Sequence, residues 1–172
     1  MRKFTTRELT LAAFVAALYA VMSYFGNVFG LTFGGIQCRF AETLCVLPFF
    51  FPCTVYGLFV GCLITNLMST VGPLDIVFGS MATLLAAMWT ARMPNRSLAP
   101  LPPVICNGVI VGAMIAWYEV GFTGTFLPVF ALNALWVALG EAVVVFLLGG
   151  LLLKKVPQSE YLRQFIPEKR QK

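Results

Sequence analysis

Six apolar stretches, separated by short breaks that carry glycine, proline or charge, run along the chain. A helix that crosses a bilayer needs about 20 apolar residues. The pattern therefore predicts an all-α, polytopic membrane protein with six transmembrane helices in one integral membrane domain, 1–172. The helices fall at roughly 9–26, 39–51, 54–70, 75–91, 104–119 and 127–153, followed by a cytoplasmic tail, 154–172, too polar to insert. Arg2, Lys3 and Arg7 precede the first run, as in a signal peptide, but no small-residue cleavage site leads into a polar start, so the run reads as a retained helix. Residues 26–38, with Gly26, Gly30, Gly34 and Gly35, read as a loop or re-entrant segment. The 39–51 segment carries Pro48 and is too short for an uninterrupted span; broken helices at membrane depth line cavities. Residues 92–103, with Pro94, Pro100, Pro102 and Pro103, read as a polar loop.

Composition narrows the class without adding to the map. Of the 172 residues, 59% are hydrophobic and 11% charged, against roughly 25% charged in a soluble domain. A water-facing surface and intrinsic disorder are both excluded. The net charge of +5 sits at the two ends and in one loop, not on an aromatic-interleaved face, so nucleic acid is not the expected partner. Every basic residue except Arg39 falls on one side of a six-span topology, and the positive-inside rule then places both termini in the cytoplasm.

Candidate chemistry follows from depth. A charge at the bilayer centre costs about 2.5 kcal/mol or more, which makes intramembrane ionisable residues functional candidates. Asn27, Gln37, Arg39, Glu42, Asn66, Asp75, Glu119 and Asn133 map to the outer half, Glu141 near the middle and Asn107 to the inner half. Simpler readings stand beside this. Arg39 and Glu42 pair at i, i+3; Asp75 caps a helix; Glu119 with Trp117 and Tyr118 forms an interfacial belt; Glu141 bonds a neighbouring helix. On the sixth helix, Trp136 and Glu141 flank a stripe of Asn133, Val137, Gly140 and Val144 suited to a planar, hydrogen-bonding ligand. The alanines at 12, 16 and 20 form a strip for close helix approach, offered to an external partner, while Gly57-x3-Gly61 and Gly108-x3-Gly112 read as internal packing. With no histidine, no C-x-x-C and no nucleotide-binding or hydrolase motif, neither a metal nor another cofactor is expected. The five cysteines read as small packing residues.

The stretch Cys38-Arg-Phe-Ala-Glu-Thr-Leu-Cys-Val-Leu-Pro48 resembles the R-x-x-E-x-L-x-x-L-P signature of the QueT family, and segments 57–66 and 75–85 are similar to it as well. The resemblance implies a non-enzymatic substrate-binding S-component of an energy-coupling-factor transporter in a bacterial plasma membrane. It would import a queuosine precursor and pair with a transmembrane coupling protein and two ATPase subunits. It also implies that Ala12, Ala16 and Ala20 contact the coupling protein and that the ligand site faces outward. The candidate ligand contacts are Glu42, Glu141, Asn133, Asn66, Arg39 and Asp75, with Trp136 as a stacking surface. The alternatives are an S-component for another vitamin or heterocycle, and a non-transporting membrane assembly subunit.

Overall fold

A computed structural model of the chain describes residues 4–29, 39–68, 72–167 and 170. Arg2, Lys3, Gly30, Gly34, Gly35, Gln37, Cys38, Lys169 and Lys172 lie outside the described residues. Among those described, the chain is helical with no strand. The first helix, Thr6–Val28, begins earlier than hydropathy predicts because a polar cap precedes the apolar run. The Thr5 hydroxyl accepts from Glu8 N, and the Glu8 carboxylate accepts from Thr5 N at 2.9 Å. The second helix, Phe40–Phe49, has 3₁₀ geometry. Its ten residues at about 2 Å rise reach roughly 20 Å. The third, Thr54–Asn66, is similarly short, and the fourth is Pro73–Thr90.

The region from Arg92 departs from the predicted loop. A 3₁₀ turn at Arg96–Leu98 leads into a helix already running at Leu101, and the fifth element spans Arg96–Val120. Pro102 and Pro103 occupy its first turn, where a missing N–H costs nothing. The sixth helix, Phe126–Gln158, is longer than expected. Each of these last two contains a π turn, at Asn107–Val111 and Val145–Gly149. Beyond Ser159 the tail is not simply solvated: a short helix, Glu160–Arg163, leads to Ile166, which is 3% exposed. Four helices, the first, fourth, fifth and sixth, are long and apolar enough to cross a membrane, while the second and third are apolar but shorter. Phe14, Phe25, Ile64, Phe78, Leu135 and Leu147 stand exposed, an outward apolar surface that suits lipid rather than water.

Two small-residue contacts draw helices together. A Cβ at Gly57 would collide with the Ala12 carbonyl, and one at Gly61 would lie 2.7 Å from Ala16 O and 2.8 Å from Tyr19 Cβ. On the other side, Gly112 abuts Ala134, whose Cα would be 2.7 Å from an added Cβ, and Gly108 faces Ala138. Both glycine pairs are thus internal packing, as expected. Two members of the alanine strip take part in the first of these contacts, and the third, Ala20, is half-buried. Ala12 and Ala16 face the third helix because Gly57 and Gly61 let the backbones approach, and the outward small residues of the first helix are Ala13 and Ala17. Substituting Gly61 by Ala should cost about 1–3 kcal/mol through overpacking, read as a lower midpoint of thermal unfolding in detergent. Gly150→Ala, where an added methyl meets open space, should leave the midpoint unchanged or raise it.

Candidate functional site

Arg39 precedes the second helix and Glu42 lies in its first turn, so both enter a space enclosed by the first, third and fourth helices. Glu42 is fully buried and receives three donors. Tyr19 Oη from the first helix donates to Oε1 at 2.5 Å, Thr83 Oγ1 from the fourth to the same oxygen at 2.9 Å, and Cys45 Sγ to Oε2 at 2.8 Å. A carboxylate offers about four lone-pair sites, of which these donors fill three among the described residues. Arg39 is 3% exposed, and its Nη2 donates to Asn66 Oδ1 at 2.8 Å and to Cys62 Sγ at 3.6 Å. Its Nε has no hydrogen-bond partner among the described residues. Cys62 Sγ also lies 3.2 Å from Thr83 Oγ1. Asn66, Arg39, Cys62, Thr83, Glu42 and Tyr19 therefore form one continuous polar chain inside an apolar bundle.

The remaining candidates sort by where their helices carry them. Asn66 Nδ2 reaches Asp75 O at 3.0 Å and Ser80 Oγ at 3.2 Å, which ties the third helix to the fourth. Asp75 is buried, but it is not the helix cap. Gly72 holds that position at φ +135°, and its absent side chain makes room for Tyr118, whose Oη accepts from Leu74 N at 3.1 Å. Tyr118 thus caps the fourth helix from the fifth. Glu141 is buried and accepts from Asn107 Nδ2 at 3.0 Å. Asn107 Oδ1 has no partner among the described residues. Asn133 instead donates to the exposed Glu119 carboxylate at 3.0 Å, and Trp136 is 41% exposed. The wheel that groups Trp136 and Asn133 with Glu141 gives only angular proximity, and neither is brought to the buried cluster.

Tyr19, Cys45, Cys62, Ser80 and Thr83 are cluster members that the sequence reading does not single out. A signal exists for some of them. Asp75, Gly79 and Thr83 recur every four residues on one face of the fourth helix, and Cys62 and Asn66 do so on the third. Cys45 and Cys62, expected as plain packing residues, are hydrogen-bonded into the network.

Residues 9–158 match the family described as QueT transporter. The queuosine precursor transporter QueT of Lactococcus lactis subsp. cremoris is 31% identical to the chain over 85 residues, 49% of this chain and 50% of that protein. The chain thus matches about half the length of this curated relative. No solved structure matches.

The cohesion of the cluster is measurable. Asn66→Leu removes the acceptor of a buried guanidinium and the tie between two helices, and should destabilise by about 3–5 kcal/mol. Trp136→Ala should change the midpoint of thermal unfolding far less, because the indole is 41% exposed and belongs to no buried polar network.

Proposed function

The chain belongs to the QueT transporter family, and we propose on that premise that it is the membrane substrate-binding subunit through which an energy-coupling-factor transporter imports a queuosine precursor, a deazaguanine-type base. The family is one of transporters, not of enzymes, and with its long apolar helices the chain is a multi-pass membrane protein. The substrate reading is supported by the name of the Lactococcus relative. The observation that carries it is a buried carboxylate and a buried guanidinium in one polar network, each with hydrogen-bonding capacity that no described residue fills. A deazaguanine edge sets N–H donors next to a carbonyl oxygen. Glu42 accepts from the donors, and Arg39 Nε donates to the oxygen. Asn66 holds Arg39 in place, and Asp75 supports Asn66 through its backbone carbonyl. Glu141 and Asn107, bonded to each other, are the further acceptors of the proposed site.

The proposed topology has six spans in a single domain, the short second and third helices crossing with the help of flanking segments. Arg7, Arg92, Arg96, Lys154 and Lys155 gather at the end that holds the N-terminus, which supports cytoplasmic termini in a bacterial plasma membrane. In that topology the site lies toward the outer side of the bundle. Coupling to a transmembrane partner and two ATPases supplies the energy. With Ala12 and Ala16 turned to the third helix, Ala13 and Ala17 are the small residues the first helix offers to that partner.

Titration of the purified protein with a deazaguanine base tests the site, and uptake by cells unable to make the precursor tests the function. Glu42→Gln should weaken binding roughly tenfold to a hundredfold, the value of a charge-assisted hydrogen bond, and Glu141→Gln should weaken it less. Trp136→Ala should leave it unchanged. No saturable binding of the base by the wild-type protein would refute the substrate assignment.

A further inference from the structure

The end of the bundle that holds the N-terminus contains a feature the transport reading does not use. The second helix stops at Phe49 after roughly 20 Å, about 10 Å short of the hydrocarbon thickness of a bilayer. Leu47 O accepts from Phe50 N and Phe51 N, and any carbonyl left bare at this depth would meet no hydrogen-bond donor in lipid. Arg170 fills that gap from far along the chain. Its Nη1 donates to Phe49 O, its Nη2 donates to Ala91 O at 2.6 Å, and its guanidinium carbon stands 5.1 Å from the centre of the Phe49 ring. Phe49 ends the second helix and Ala91 caps the fourth, so one cation sits at the negative ends of two helices. Two neighbours reinforce the attachment. Ile166 is buried in a cluster with Phe49, Phe50, Phe51, Cys53 and Val156, and the Phe165 ring lies 6.0 Å from the guanidinium of Arg7 on the first helix.

We propose that the two carbonyls and the Phe49 ring form an arginine-binding notch, and that Phe165, Ile166 and Arg170 together form a plug, latched in that notch, that closes this end of the bundle. A planar guanidinium fits it where an ammonium does not, because two divergent carbonyls and a ring face are engaged at once. The plug lies beneath the second helix, on the side of Glu42 away from Arg39. Its identification as the barrier on the release side rests on the transport function and topology proposed above, whereas the closure itself does not.

The sulfhydryl of Cys53 reports on the plug, since it is 8% exposed and packed in the same cluster as Ile166. The probe is a charged maleimide, applied to full-length protein in detergent with Cys38 and Cys106 replaced by Ser. Cys45 and Cys62, buried in the polar cluster, serve as internal controls of folding. Arg170→Gln should speed labelling of Cys53 at least tenfold while Cys45 and Cys62 stay unreactive, and Arg170→Lys should fall between. Truncation after Ser159 should give the same selective labelling or a stronger one. If truncation makes all three cysteines reactive, the chain has unfolded and the Arg170→Gln result alone decides. Unchanged Cys53 labelling in Arg170→Gln overturns the plug. Labelling needs no ligand, so failure to bind a deazaguanine base would sink the transport reading and leave this result standing.

Discussion

A carboxylate and a guanidinium enclosed among apolar helices dictate much of how this chain is assembled. Neither can stay ionised at that depth without partners, and the cost of leaving either bare is several kcal/mol. Glu42 takes its partners from the first and fourth helices and Arg39 takes its own from the third. The second helix, too short and too tightly wound to anchor itself, is held by the charges it brings. Packing serves the same end: Gly57 and Gly61 bring the first helix close enough for the Tyr19 hydroxyl to reach Glu42.

The family signature marks the two residues with the highest cost of burial, which is why Arg39 and Glu42 are readable from sequence. Their partners are less so. Thr83, Cys62 and Tyr19 are unremarkable residue types in a membrane helix, and a hydrogen bond between helices depends on packing that no single helix encodes. Asn133 and Trp136 show the converse. They share a helix with Glu141, but the neighbours of a helical face are set by the whole bundle, and Asn133 is drawn to Glu119.

Boundaries fail for a related reason. Hydropathy finds where apolar runs stop, while helices begin and end where backbone groups find caps. Thr5 and Glu8 start the first helix ahead of its apolar run, and Pro102 and Pro103 begin a helix where prolines read as breakers. The tail, polar on average, carries Ile166, which is buried against the bundle, and Arg170, which is half-buried at two helix ends.

The π turn in the fifth helix settles a conflict of phase. Residues five apart in a regular α-helix point roughly 140° away from each other, so Asn107 and Gly112 could not both face the same neighbour. The wider turn closes with Gly112 N donating to Asn107 O, which brings the two nearly into line. Asn107 can then bond Glu141 while Gly112 lies against Ala134. Deleting one residue between them would straighten the helix and force a choice between the polar contact and the close approach. The surplus residue is thus a phase correction, and the length of the chain between these two positions carries as much information as its side chains.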